Sequence, residues 1–300
     1  MRSPKKQLLL KSLSLFSVVR GYNILIIVIA QYLASAYIMA KGKPLRAILF
    51  DESLFVIVSS SALAIAAGYI INSFYDAEKD LINRPQKTML DSLIDQRTKL
   101  YGYFSLNFLS VIAASYVSFR AVLFFSAYIF GIWLYSHKLK KMPLIGNLTS
   151  AVLAITPFFA VFVYYKNFDT VIFVHATFLF LLILIREFVK DLENIEGDLV
   201  QNYKTIPVLY GEKTSKKLIL LSVGLTFIPA YLLITQFDIG YMYYYFYQSI
   251  ILLLLFLLLL WKANRKPQYI RLHNILKFII VSGVFGILLI DIHVILNRIL

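Results

Sequence analysis

Long apolar runs alternate with short polar ones along the whole chain. A helix of about 20 apolar residues is long enough to cross a bilayer. Nine such spans are read, at roughly 14–40, 53–75, 100–118, 120–136, 144–165, 170–190, 217–236, 241–261 and 275–297. Only Ser118, Phe119 and Arg120 part the third from the fourth. The pattern predicts an all-α, polytopic membrane protein forming one transmembrane domain over residues 1–300. Basic residues 1–13 precede the first span, and polar loops at 76–99 and 191–216 follow the second and sixth.

Composition agrees. The 300 residues are 60% hydrophobic with a mean hydropathy of +0.75, far above a soluble domain. The 30 Lys and Arg against 16 Asp and Glu could suggest nucleic acid. They lie between the apolar runs, where positive charge sets topology, so no nucleic-acid partner is expected. Placing the N-terminus in the cytoplasm puts most of that charge inside and the C-terminus outside, in the cell membrane. No small-residue cleavage pattern follows the N-terminal basic run, so a removed signal peptide is not expected. Without Cys, thiolate chemistry and disulfides are excluded. The four His show no ligand spacing, which argues against zinc. The stretch Tyr241–Tyr247 reads as an aromatic belt at the outer interface.

Two acidic stretches change the picture. The first, Asn72-Ser-Phe-Tyr-Asp76-Ala-Glu-Lys-Asp80-Leu-Ile-Asn-Arg84-Pro, closes the second span. Asn72, Asp76 and Asp80 are spaced four apart, which on a helix aligns their oxygens on one face. The second, Arg186-Glu-Phe-Val-Lys190-Asp191-Leu-Glu-Asn194-Ile-Glu-Gly-Asp198, closes the sixth. Both fall on the same side of the membrane. If the two helices flank one cavity, opposed carboxylates could hold Mg2+, a hard cation that takes oxygen ligands and shares them with phosphate.

These stretches carry a resemblance. Asn72 to Pro85 is similar to the first acidic motif of the UbiA-type intramembrane prenyltransferases, and Lys190 to Asp198 with Lys204-Thr-Ile-Pro-Val to the second. Tyr135-Ser-His-Lys138-Leu-Lys140-Lys-Met-Pro-Leu-Ile-Gly-Asn147 resembles the segment after the family's fourth span, and Arg20-Gly-Tyr-Asn23 its first-helix motif. The resemblance implies nine helices bundled around a central cavity, and transfer of a polyprenyl group from its diphosphate to an acceptor. It implies that Asn72, Asp76, Asp80, Asp191, Asn194 and Asp198 hold Mg2+, with Asp76, Asp80, Asp191 and Asp198 carrying catalysis. Arg84, Tyr135, Lys138, Lys140 and Lys204 would contact the substrate, and Arg20 and Asn23 would line the cavity. The chain departs from the family at Ser73, where Asp is usual, and at Asn194, where an acid is usual. Its wording is most similar to the branch that prenylates a lipid-linked hydroxyl, such as that of geranylgeranylglyceryl phosphate. An aromatic quinone precursor is the alternative acceptor. A secondary transporter is the non-enzyme alternative, though its acids would be expected at the membrane midplane.

Overall fold

The computed structural model describes residues 13–40 and 42–291. Most of the basic N-terminus, Lys41, His293, Arg298 and the end of the expected last span lie outside the described residues. Among those described, nine helices are long and apolar enough to cross a membrane, and there are no strands. They are α1 Gly21–Met39 (its last five residues, Ser35–Met39, wound as a π-helix), α2 Glu52–Tyr75, α3 Gln96–Val117, α4 Phe119–His137 and α5 Ile145–Tyr165. Then follow α6 Thr170–Glu193, α7 Ile206–Thr235, α8 Tyr243–Lys262 and α9 Lys266–Gly286.

Caps explain several boundaries. Asp51 accepts the Leu54 amide at 3.0 Å and the Tyr164 hydroxyl at 2.8 Å, fixing the start of α2 against α5. Ser118, extended at φ −175°, accepts the Ala121 amide at 3.1 Å. One residue therefore turns α3 into α4, where the sequence offered no loop. Buried positions of α2, among them Leu54, Ile57, Ala64 and Ala67, pack it against α1, α3, α4 and α5. A second set of contacts centres on α6, with α5, α7 and α9 around it. These two central helices carry the two acidic stretches at their C-terminal ends.

Four boundaries differ from expectation. The first span is broken at Arg20, whose φ of 50° and ψ of 52° are left-handed, so Arg20 precedes α1 instead of lying inside a span. The loop at 76–99 is largely helical, with Ala77–Asn83 and Pro85–Asp91. The loop at 191–216 holds the helix Ile195–Val200 and the start of α7, which is broken at Gly211 (φ 80°, ψ 164°), a conformation suited to glycine. Helix α9 starts at Lys266, well before 275. In each case polar residues at a helix end hide it from a hydropathy reading.

Candidate active site

Helix α2 stops where Asp76 leaves helical geometry (φ −94°, ψ 6°), and the chain resumes as Ala77–Asn83. Helix α6 stops the same way at Asn194 (φ −112°, ψ 12°) and resumes as Ile195–Val200. The two short helices pack together. The Gly197 amide donates to Asn83 Oδ1 at 3.3 Å, and the approach is so close that a Cβ on Gly197 would stand 2.3 Å from Asn83 Nδ2. Lys79 from the first short helix pairs with Asp198 from the second at 2.6 Å. The two acidic stretches thus meet at one end of the bundle.

Between them lies a small polar cavity, lined by Asn72, Asp76, Lys79, Tyr135, Lys140, Asn147, Glu187, Lys190, Asp191 and Thr205 among others. Lys140 Nζ stands 2.7 Å from Asp76 Oδ1 and 3.3 Å from Asn72 Oδ1. Asn72 Nδ2 donates to Asp76 Oδ2 at 2.9 Å, and the Tyr203 hydroxyl to Asp76 Oδ1 at 3.1 Å. Asn147 Nδ2 donates to Asp191 Oδ2 at 2.7 Å, and Lys190 Nζ to Glu187 Oε2 at 2.8 Å. The Lys79 ammonium also sits over the Tyr203 ring, 4.3 Å from its centroid.

Burial works against the charge on Asp76, but Lys140 and Lys79 outweigh it and hold the carboxyl below its usual range. Burial likewise opposes the Lys79 ammonium, and Asp76 and Asp198 outweigh it, so Lys79 stays charged. Asp198 is different: its burial dominates and lifts its carboxyl above the usual range despite Lys79. Burial also pushes the Tyr203 phenol up, keeping it a donor to Asp76. The cavity therefore offers ammonium groups whose carboxylate partners can be exchanged for phosphate oxygens.

The structure brings Asn72, Asp76, Tyr135, Lys140 and Asp191 to this cavity, with Asp198 tied to it through Lys79 and Thr205. It places the other expected residues elsewhere. Asp80 is half-buried and outside the lining, because the helix that would align it with Asn72 is interrupted at Asp76. Lys138 and Lys204 are exposed; Lys204 contributes its amide to the Lys141 carbonyl at 3.0 Å. Asn194 is buried at the α6 break, its Oδ1 without a hydrogen-bond partner. Arg20 lies over the Tyr69 ring, 5.0 Å from its centroid, and Asn23 Nδ2 donates to the Tyr69 hydroxyl at 3.2 Å. Arg84 pairs with Glu193 at 3.1 Å, and Glu193 also meets His273 Nδ1 at 2.8 Å.

Sequence reading missed Lys79, Tyr203 and Thr205. Lys79 had a signal, since it follows Asp76 by nearly one turn. Tyr203 and Thr205 had none, because only the fold of Ile195–Val200 returns them to the site. The Arg84–Glu193–His273 cluster ties three segments together. Changing Glu193→Gln leaves Arg84 and His273 without their carboxylate. The expected cost is about 1–3 kcal/mol, discounted from a fully buried pair because Arg84 is partly exposed. A lowered thermal midpoint in detergent checks it.

Among the described residues no three Asp, Glu, His or Cys side chains converge as a ready metal cage. The donor chemistry nevertheless suits Mg2+. Asn72 and Asp76 already share one cation, the Lys140 ammonium, and amide and carboxylate oxygens with few protein ligands are what Mg2+ takes beside phosphate.

Comparison with known proteins agrees with this geometry. A digeranylgeranylglyceryl phosphate synthase of Methanobrevibacter smithii is 32% identical over 214 residues, covering 66% of this chain and 69% of the relative. One of Thermococcus gammatolerans is 34% identical over 161 residues, covering 53% and 56%. The chain thus spans little more than half the length of that relative. Among solved structures, one concerned with digeranylgeranylglyceryl phosphate synthase in membranes superposes with a TM-score of 0.69 at 22% identity, covering 92% of this chain and 97% of that one. A UbiA homologue from Archaeoglobus fulgidus bound to GPP and Mg2+ gives 0.66 at 15% identity, covering 91% and 99%. The model of the UbiA prenyltransferase family matches residues 27–281, a range that includes every residue lining the polar cavity. With both acidic stretches inside the match and the nine-helix fold shared, the chain belongs to the UbiA prenyltransferase family.

Proposed function

We propose that this protein transfers a polyprenyl group, geranylgeranyl in the first instance, from its diphosphate to a lipid-linked hydroxyl such as that of geranylgeranylglyceryl phosphate, releasing diphosphate. The observation that carries this reading is the meeting of two acidic stretches around Lys79, Lys140 and Lys190 at one end of a membrane bundle. The relatives named for digeranylgeranylglyceryl phosphate synthesis support the acceptor class, and the GPP- and Mg2+-bound homologue supports the donor class. The site faces the cytoplasm in this reading, and the chain acts as one transmembrane catalytic domain in the cell membrane.

Asn72, Asp76, Asp191 and Asp198 are the residues that would hold Mg2+ with the diphosphate; Asp80, outside the cavity lining in this structure, would have to turn toward it to join them. When bound, the metal neutralises charge as the allylic C–O bond breaks. Lys140, Lys79 and Lys190 turn from carboxylates to phosphate oxygens and stabilise the departing diphosphate. Asn147 keeps Asp191 oriented at the cavity wall. The apolar helices exclude water from the cation-like prenyl fragment. At the other end of the bundle an apolar cavity is lined by Phe158, Phe159, Phe162, Phe173, Phe178 and Phe246 among others, the kind of surface an isoprenoid chain packs against.

The test is a purified assay with radiolabelled geranylgeranyl diphosphate and either geranylgeranylglyceryl phosphate or 4-hydroxybenzoate. Transfer to the lipid phosphate, lost with EDTA and regained with Mg2+, is the expected result. Label appearing only in the aromatic product would refute the acceptor, and no transfer to any acceptor would refute the enzyme.

A further inference from the structure

Tyr203 belongs to neither acidic stretch, yet it touches both. The helix Ile195–Val200 ends at Gln201, and Asn202 then takes a left-handed conformation (φ 53°), which asparagine tolerates. The Tyr203 amide closes this turn by donating to the Asp198 carbonyl at 2.8 Å. The next amide, of Lys204, is pinned to the Lys141 carbonyl at 3.0 Å. With the backbone held on both sides, the Tyr203 side chain, only 3% exposed, is delivered to the place where the two stretches meet.

Its two ends do different things. The hydroxyl donates to Asp76 Oδ1 at 3.1 Å, an oxygen that also accepts from Lys140. Of those two donors Lys140 is the exchangeable one, an ammonium free to turn to a phosphate oxygen. The phenol is short, buried and anchored by its backbone, so it keeps Asp76 Oδ1 in place when Lys140 leaves. Partners of this kind orient a ligating carboxylate, and losing them weakens metal binding. The ring face meets cations instead. Lys79 Nζ lies 4.3 Å from its centroid and Lys141 Nζ 5.3 Å. Lys79 is also paired with Asp198 at 2.6 Å. When Lys79 exchanges that carboxylate for phosphate, the ring still holds its ammonium at the cavity wall. Lysine is a point charge on a flexible stem, so confining it beforehand reduces the entropy lost on binding an anion.

We propose that Tyr203 is a positioning residue with two separable parts: its hydroxyl fixes the Asp76 carboxylate for Mg2+, and its ring confines Lys79 for the donor diphosphate. The assignment rests on the transferase reading above. Because the two parts serve different ligands, each leaves its own signature. Removing the hydroxyl alone acts on the metal. Removing the ring acts on the donor as well, and does so only through Lys79.

The experiment uses the purified full-length protein in nanodiscs, with Mn2+ in place of Mg2+ and no acceptor. Bound Mn2+ is counted by electron paramagnetic resonance at saturating geranylgeranyl diphosphate. Donor affinity is measured with radiolabel at saturating Mn2+. Tyr203→Phe should weaken Mn2+ binding about 10–100-fold and leave donor affinity within about twofold. Tyr203→Leu should weaken Mn2+ binding to the same degree and donor binding by about tenfold as well, the worth of a desolvated contact between ammonium and ring. In a Lys79→Met background, Tyr203→Phe and Tyr203→Leu should bind donor alike, because the ring then has no Lys79 to confine. Wild-type Mn2+ affinity in Tyr203→Phe would overturn the role of the hydroxyl, and equal donor affinity in the two single variants would overturn that of the ring. Parallel losses of metal and donor in Tyr203→Phe, or a Tyr203→Leu defect in donor binding that persists without Lys79, would reduce Tyr203 to packing. The expected binding pattern without transfer to any acceptor would instead refute the transferase reading and leave the positioning role standing.

Discussion

Asp76→Asn lowers turnover by about 10²–10³-fold, the loss expected when one preorganised charge is removed from a phosphoryl leaving-group site. Asp76 is the point where the site converges. It accepts from Asn72, from Lys140 at 2.7 Å and from Tyr203 at 3.1 Å. Its carboxyl, though buried, is held below its usual range by Lys140 and Lys79, so the charge removed is present at any working pH. Asparagine keeps the shape and one acceptor oxygen, which separates the loss of charge from loss of packing. Diphosphate release at saturating donor is the measurement, with the elution profile as the folding control. An undiminished rate would take Asp76 out of the chemistry. Asp80→Ala is the companion variant. If Asp80 binds Mg2+ with Asp76, its turnover falls comparably, and an unchanged rate removes Asp80 from the metal set.

Gly197→Ala separates the two halves of the site. The added methyl would meet Asn83 Nδ2 at 2.3 Å and Cγ at 2.8 Å. Asn83 cannot simply step aside, because its Oδ1 holds the Gly197 amide and its backbone carbonyl holds Lys266 Nζ at 2.9 Å. The helices Ala77–Asn83 and Ile195–Val200 must therefore part. A shift near 1 Å misplaces Lys79 and Asp198 and should cost roughly 10²-fold in rate. Overpacking should also cost about 1–3 kcal/mol of stability. Because the clash is with the Asn83 side chain, the double variant Gly197→Ala/Asn83→Gly should recover part of the rate. No recovery would mean that the close approach is not what glycine serves here.

The sequence exposed the bundle more readily than the site. Apolar runs located the nine spanning helices found among the described residues, since burial in lipid demands about 20 residues of low polarity whatever the packing. It understated α7 and α9, whose first turns carry Lys, Glu and Gln, and it ran the first span through Arg20, where the backbone turns left-handed. Asn72, Asp76, Lys140 and Asp191 were legible because each sits in a stretch whose residue types announce oxygen and ammonium chemistry. Their mutual distances were not legible. The breaks at Asp76 and Asn194 decide which side chains face the cavity, and nothing in the spacing marks a helix interruption without Gly or Pro. The same break moved Asp80 off the lining, and the fold of Ile195–Val200 brought Tyr203 in.

The lysine–carboxylate pairs across the cavity have a consequence for descent. Lys140 is matched to Asp76 and Lys79 to Asp198, each in surroundings where a lone charge is costly. Neither member can drift alone without stranding the other. Related chains should therefore lose or exchange these residues two at a time, and positions 79 and 198, far apart along the chain, should change together.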